Sequence, residues 1–301
     1  MRLLYTTDGS DSSLGGAAFL KRFAFRADDE LTVTHVVNLF PFSHEASIAY
    51  THIEQIKHEL APRILDATIE ALGPVKAIIS TAILSGYPGR AIIEAVKEHD
   101  CDLIVMGTRG LKGVKSFLLG STTRTVAINS PVPVLVIHPV VRQDEEKLKI
   151  LLATDGSNES QQMVNLLNEL PFPDDTELTI INVVVPSASD IPPQYIAELG
   201  EKLKDIIEQS HTMHQVESEG LLQKTQERLS SKFKSIKLVT RFGDPSTEIL
   251  DVAKDAKADI IAIGSRGLRG LKGMLGSVSR NILGHAKCSV LIWKGDTEIV
   301  S

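Results

Sequence analysis

Residues 3–13 read LLYTTDGSDSS, and residues 151–160 read LLATDGSNES. Each is a short apolar run that stops at a polar Asp-Gly-Ser, the pattern of a buried strand turning into a helix. The likeness extends outward. SGYPGRAIIEAVKEHDCDLIVMGTRGLKG at 85–113 matches FGDPSTEILDVAKDAKADIIAIGSRGLRG at 242–270, and VPVLVI at 132–137 matches CSVLIW at 288–293. Asp8 recurs as Asp155, Gly86 as Gly243 and Gly107 as Gly264. The repeat period is therefore a whole domain, which implies a tandem duplication rather than a solenoid. The offsets grow by ten residues between the first and third strands of the second copy, which then loses one residue inside its glycine loop. Domains are expected at 1–140 and 148–301, joined through the charged stretch VVRQDEEKLK at 140–149.

Within copy one, Leu3–Thr7 reads as a strand and Gly9 as a turn, with Ser10 or Asp11 capping a helix through Leu14, Ala18 and Phe19. LTVTHVV is a β-branched second strand, His52–Leu72 a helix ending at Gly73-Pro74, and VKAIISTAIL a third strand. Pro88 opens a helix to about Glu98, LIVMG is a wholly apolar fourth strand, Gly120–Asn129 a helix and VPVLVI a fifth strand. Alternating helices and continuously apolar strands predict an α/β chain of two tandem, doubly wound, five-stranded parallel sheets of Rossmann-like type. Pro131 and Pro133 suggest that the fifth strand lies at a sheet edge. Copy two repeats the plan, with its extra residues in a long helical segment at 193–231.

The composition fits this plan. The chain has 301 residues, 43% hydrophobic and 23% charged, enough for two soluble domains. A net charge of −6 argues against a general nucleic-acid partner. Two cysteines, Cys101 and Cys288, make no disulfide framework, and the opening MRLLYTTDGSD is too polar for a signal peptide. No apolar run is long enough for a membrane span, so a cytoplasmic protein with no membrane partner is expected.

In doubly wound sheets ligands sit beyond the carboxyl ends of the strands, where strand order reverses. Here those ends carry Thr7-Asp8-Gly9-Ser10 and a loop with Gly107, Gly110, Gly113 and Gly120; in copy two they carry Asp155-Gly156-Ser157 and Gly264, Gly267, Gly270, Gly273 and Gly276. Glycines let backbone N–H groups converge on an anion, and the following helix offers the N–H and hydroxyl groups of Gly120-Ser121-Thr122. Arg109, Lys112 and Lys115 add positive charge within an acidic chain. This describes a phosphate cradle; the bland alternative is a flexible turn with solvated basic residues. There is no Gly-x-Gly-x-x-Gly, no Gly-Lys of a P-loop, no Gly-x-Ser-x-Gly and no His-Glu-x-x-His.

Gly107, Gly110, Gly120 and Ser121 form the pattern Gly-x2-Gly-x9-Gly-Ser, which resembles the ATP-binding signature of the universal stress proteins. The strand ending in Thr-Asp-Gly-Ser and the Gly-x-Pro at Gly86–Pro88 also resemble that family, and the likeness covers both copies. It implies an adenine nucleotide across strands one and four. Asp8 and Val36, with Thr7 and Met106, would face the adenine and ribose. Gly107, Arg109, Gly110, Gly120, Ser121 and Thr122 would hold the phosphates, with Mg²⁺ on them. In copy two the corresponding set is Asp155, Val183, Gly264, Gly267, Gly276 and Ser277, but only eight residues separate Gly267 from Gly276, where copy one has nine between Gly110 and Gly120. The resemblance further implies pairing of the two copies about a pseudo-two-fold axis, and leaves a homodimer open.

The function expected is that of an ATP-binding stress-response regulator or sensor without catalytic residues or a metal site of its own. Two alternatives stand beside it. TTDGSDSS faintly resembles the loop of adenylating ATP pyrophosphatases, which would make the chain an adenylating or slowly ATP-hydrolysing enzyme. Some members of the family are nucleotide-free scaffolds. Asp8 reads as a nucleotide contact rather than a general base, since no nucleophile or second acid accompanies it. His211 and His214 read as a solvated helix face, His35 as a hydrogen-bonded core residue, Cys101 as buried packing and Trp293 as packing at a domain or subunit contact.

Overall fold

The computed structural model describes residues 1–38, 47–108, 119–138, 147–186, 200–266 and 275–293, and side chains within them except at 47–51 and 200–204. Copy one runs β1 (Arg2–Thr7), α1 (Asp11–Phe19, extended by a 3-10 turn at Leu20–Arg22), β2 (Glu30–Val37), α2 (Ser47–Leu72), β3 (Ile78–Ser85), α3 (Pro88–Glu98), β4 (Leu103–Gly107), α4 (Ser121–Asn129) and β5 (Val134–Ile137). Copy two repeats it as β6 (Lys149–Ala153), α5 (Asn158–Glu169), β7 (Glu177–Val184), α6 (Gly200–Leu229), β8 (Ser235–Phe242), α7 (Pro245–Asp255), β9 (Ile260–Gly264), α8 (Ser277–His285) and β10 (Ser289–Trp293).

Each copy is a five-stranded parallel sheet, and the two are one sheet. The strand order is β3-β2-β1-β4-β5-β10-β9-β6-β7-β8, a palindrome of the two copies. All neighbours are parallel except β5 and β10, which pair antiparallel through Val134↔Ile292, Leu135↔Leu291 and Val136↔Val290. Leu135 and Leu291 are equivalent positions of the repeat, so a pseudo-two-fold axis passes between them, as in an isologous interface. The sheet edge expected from Pro131 and Pro133 is thus corrected. β5 is the rim of its own half, but the prolines precede the strand and leave Val134–Val136 free to pair with β10.

Strand alternation divides the core into two layers. One face buries Leu3, Tyr5, Leu31 and Val33 under α1 and α2, together with Leu152, Leu178 and Ile180 under α5 and α6. The other buries Leu4, Ile104 and Val136 under α3 and α4, and Leu151, Ile261 and Ile292 under α7 and α8. α1 differs from its sequence reading in one respect: Ala18 is exposed, and the buried face is Ser13, Gly16, Ala17 and Phe19. The copies also fill the same space differently. The Tyr5 hydroxyl lies 2.7 Å from where a Cβ on Gly16 would stand, whereas the equivalent positions hold Leu152 and Met163, both fully buried. A large–small pair has been exchanged for two of middle size at similar total volume.

The halves also meet beneath the sheet. The Ala24 N–H donates to the Pro171 carbonyl at 2.7 Å, and the Phe23 ring sits edge-on to Phe172 with centroids 5.2 Å apart. Arg22 reaches across the axis to Asp259, Nη1 to Oδ1 at 3.0 Å and Nη2 to Oδ2 at 3.2 Å, with both side chains largely buried.

Candidate functional site

The crevice forms because β1 ends before β2 and β3. Its pairing with β2 stops at Thr7↔His35, while β2 and β3 run on together to Val37↔Ser85. Val36 therefore stands beyond the end of β1 as a half-buried apolar wall. On the other side β1 adjoins β4, which is the switch point of the order β3-β2-β1-β4-β5. The same step recurs in copy two: β6 pairs β7 as far as Ala153↔Ile181, and Val183 lies beyond it.

Turning the chain at the end of β1 needs a left-handed residue, and Gly9 supplies it with φ +75°; Gly156 does the same with φ +77°. A hydroxyl brace then fixes the turn. The Gly9 N–H donates to Thr7 Oγ1 at 3.2 Å, Thr7 Oγ1 donates to Ser13 Oγ at 3.1 Å, and Ser13 Oγ donates to the Ser10 carbonyl at 2.9 Å. Ser10 Oγ caps α1 by accepting from the Ser13 N–H. Thr154, Ser157 and Ser160 reproduce each of these bonds. Asp8 Oδ1 accepts from the Ser10 N–H and hydroxyl at 3.1 and 2.6 Å, and Asp155 Oδ1 from the Ser157 N–H at 3.0 Å. The last carbonyl of β1, on Thr7, contacts His35 Nδ1 at 2.9 Å; just past β6 the Thr154 carbonyl accepts from Asn182 Nδ2 at 2.7 Å.

The second rim is the end of β4. A Cβ on Gly107 would lie 3.1–3.3 Å from the Oγ, O and C of Ser12, so this glycine lets β4 approach the first turn of α1. Gly264 meets Glu159 and Ser160 at 3.0–3.2 Å in the same way. The Gly120 N–H closes the base of the glycine loop on the Thr108 carbonyl at 2.9 Å, and Gly276 does so on Ser265 at 2.7 Å. α4 then starts from Gly120, which has no side chain to cap it. Among the described residues no side chain accepts from the N–H groups of Ser121 and Thr122, so this helix start presents uncompensated positive dipole at the crevice. Thr123 instead turns inward and donates to the Gly107 carbonyl at 3.0 Å.

The two crevices differ on the first helical turn after β1 and β6. Copy one has Ser12 on the first turn of α1, its Oγ 3.4 Å from Thr108 Oγ1. Copy two has Glu159, whose Oε1 is 2.7 Å from Arg266 Nη2, with side chains only 16% and 12% exposed. Ser265, the counterpart of Thr108, is fully buried and its Oγ has no hydrogen-bond partner among the described residues.

Of the residues singled out in the sequence, Asp8, Val36, Gly107, Gly120, Ser121 and Thr122 gather at one crevice, and Asp155, Val183, Gly264, Gly276 and Ser277 at the other. Thr7 is buried, its hydroxyl spent on the brace, and Met106 is packed into the core beside Val136. Arg109, Gly110 and Gly267 lie outside the described residues, as do Lys112, Lys115 and the greater part of 140–149. Sequence reading passed over Ser12 and Glu159, although the aligned repeat shows the exchange. His211 is not simply solvated: its ring stacks on Phe242 with centroids 3.8 Å apart. Burial pushes the Cys101 thiol up to about 11, which keeps it protonated and unreactive. Among the described residues no three His, Cys, Asp or Glu side chains cluster to hold a metal, and no helix is long and apolar enough to cross a membrane.

A doubly wound parallel sheet with a polar crevice at its switch point, present twice about a pseudo-two-fold axis, defines a tandem α/β protein. The model of the universal stress protein family matches residues 1–138 and 148–294, and the chain belongs to that family of stress-response proteins. It is 33% identical over 137 residues to a universal stress protein of Methanocaldococcus jannaschii, a match covering 45% of this chain and 81% of that one. A universal stress protein of Mycolicibacterium smegmatis is 25% identical over 299 residues, covering 96% of both chains. Among solved structures, a universal stress protein from Archaeoglobus fulgidus superposes with a TM-score of 0.63 at 22% identity, covering 99% of this chain and 97% of that chain. That likeness extends the shared fold across both copies.

Proposed function

We propose that the chain is an ATP-binding regulator of the stress response, that copy one is its nucleotide domain, and that it acts by binding rather than by turnover. One observation carries the reading: the start of α4 has no side-chain cap and is tied to the end of β4 through the Thr108 and Gly107 carbonyls, which leaves the Ser121 and Thr122 N–H groups for an anion there. Free N–H groups at a helix start are an anion site. The chemistry fits a nucleotide: Val36 offers an apolar wall to the base, Asp8 a carboxylate to the ribose hydroxyls, and α4 donors to the phosphates. Mg²⁺ would enter with the phosphates, whose charge it offsets. The Gly120 N–H is given to Thr108, so Ser121 and Thr122 take the larger share of phosphate binding in this reading.

A binding role is favoured because the groups best placed for catalysis are structural. Asp8 Oδ1 holds the Ser10 turn, and the Thr7 hydroxyl is buried in the brace. The test is to denature purified chain and identify the released small molecule by mass spectrometry, with a parallel assay of phosphate and pyrophosphate release. An adenine nucleotide is expected, with turnover no faster than about one per minute, against roughly 1–10³ per second for ordinary enzymes. Release at enzyme rates, abolished by Asp8→Ala, would overturn the binding role.

A further inference from the structure

We infer that the Glu159–Arg266 ion pair is a built-in plug that keeps nucleotide phosphates out of copy two, so the residue at the Ser12/Glu159 position decides which copy binds. The inference rests on the reading of these crevices as nucleotide sites. It adds a residue-level switch between them.

The geometry supports it on three counts. First, Glu159 occupies the rim itself: its Cβ and carbonyl carbon are 3.0 and 3.1 Å from where a Cβ on Gly264 would stand. Its carboxylate meets Arg266, two residues past the end of β9, at 2.7 Å with both side chains mostly buried. The guanidinium the glycine loop would offer an anion is thus already neutralised. An entering phosphate meets a fixed like charge in a region of low dielectric, where repulsion is strong. Copy one places an uncharged hydroxyl, Ser12, at the same point, and the arginine equivalent to Arg266 is Arg109. Second, Ser265 carries the mark of the exchange. Its counterpart Thr108 has the Ser12 hydroxyl within 3.4 Å, whereas Ser265 Oγ is fully buried with no partner among the described residues. A carboxylate turned toward Arg266 has left that hydroxyl behind. Third, the described base of the glycine loop is alike in the two copies despite the residue missing from the second. The loop closes on the same atoms in both copies, Gly276 N–H to the Ser265 carbonyl and Gly120 N–H to the Thr108 carbonyl.

Calorimetric titration of the full chain with MgATP, after removal of any bound nucleotide, tests this. Wild type is expected to show one site per chain, Glu159→Ser two, Ser12→Glu none, and the double exchange one, now in copy two. Glu159→Gln keeps the side-chain volume and removes the charge, so it covers the case in which Glu159→Ser fails to fold. It should tighten the copy-two site by at least about tenfold. Two sites in wild type overturn the plug, as does a folded Glu159→Ser and Glu159→Gln pair with no gain; the latter would assign the block to the shorter loop. A wild type with no site, alongside a Glu159→Ser chain with one, would overturn copy one as the nucleotide domain while leaving the plug standing.

Discussion

The ends of β1 and β6 carry the same turn, the same hydroxyl brace and the same left-handed glycine, yet the acidic residue of the first helical turn above them stands at a different position, Asp11 in copy one and Glu159 in copy two. The Thr7–Ser13 and Ser13–Ser10 bonds recur as Thr154–Ser160 and Ser160–Ser157. Ser12 is matched by Glu159. Groups that satisfy buried backbone atoms recur because their loss leaves unpaired donors, at about 1–3 kcal/mol each. At the Ser12/Glu159 position, where the side chain braces no buried backbone atom, the copies have diverged. The interface between the halves is asymmetric in the same way. Arg22 binds Asp259 across the axis, but the symmetry mates are Glu169 and Asp102, which have the same charge and cannot pair.

The largest effect should come from that asymmetry. Asp259 is nearly buried, accepts from the Lys149 N–H at 2.8 Å and pairs with Arg22; Asp102 accepts from the Arg2 N–H at 2.7 Å in an exposed setting. Asp259→Ala removes the carboxylate from a mostly buried guanidinium and should cost about 3–5 kcal/mol in urea unfolding of the full chain. Asp102→Ala should cost about 1 kcal/mol or less. Equal losses would show that the Arg22 bridge contributes nothing to holding the copies together.

A second comparison addresses the helix starts at the two crevices. Ser121 and Ser277 are both exposed at the first position of an uncapped helix. Aspartate at either should stabilise the ligand-free chain by about 0.3–1 kcal/mol through the helix dipole. The ATP response separates them. At a hundredfold excess over Kd, bound nucleotide adds about 2.7 kcal/mol. Ser121→Asp should abolish that increment, because a carboxylate then occupies the phosphate position, and Ser277→Asp should leave it intact. Loss only in Ser277→Asp would mean that the copies have been assigned the wrong way round, and loss in both that copy one is not the sole nucleotide domain.

Much of this was legible in the sequence. The apolar runs Leu3–Thr7 and Leu103–Gly107, Gly9 at the turn after β1, Gly73 at the end of α2, and the whole-domain repeat sufficed for two doubly wound halves. Pairing of β5 with β10 was not legible from Pro131 and Pro133, because which edge a strand uses is decided by its partner and not by its own residues. The crevice residues were found where the strands end, but their individual tasks depend on three-dimensional neighbours. Gly107 reads as a phosphate contact, yet its missing Cβ first makes room for Ser12. Gly107→Val and Gly264→Val would push α1 or α5 off the sheet, so they disturb packing as well as any ligand. The Glu159–Arg266 pair lies more than a hundred residues apart in sequence, beyond the reach of any local pattern.

The smallest expected difference concerns the helices that follow β3 and β8. α3 and α7 both start at a proline, after Gly86 with φ +124° and Gly243 with φ +150°. Their N-cap backbones nearly coincide, at φ −73° and ψ 119° for Tyr87 and φ −72° and ψ 123° for Asp244. Only the cap side chain differs. Asp244 Oδ1 accepts from the Thr247 N–H and from the Thr247 hydroxyl, both at 2.9 Å, while Tyr87 makes no such bond and is 55% exposed. Tyr87→Asp therefore places an acceptor where the backbone is already shaped for one and removes little packing. It should gain about 1 kcal/mol in urea unfolding, and Asp244→Ala should lose about 1 kcal/mol. The sites lie in different halves and share no partner, so the effects should add and the double variant should return to the wild-type value. A neutral Tyr87→Asp would mean that the exposed ring stabilises α3 as well as a cap does. The two copies would then have reached the same helix start by different means.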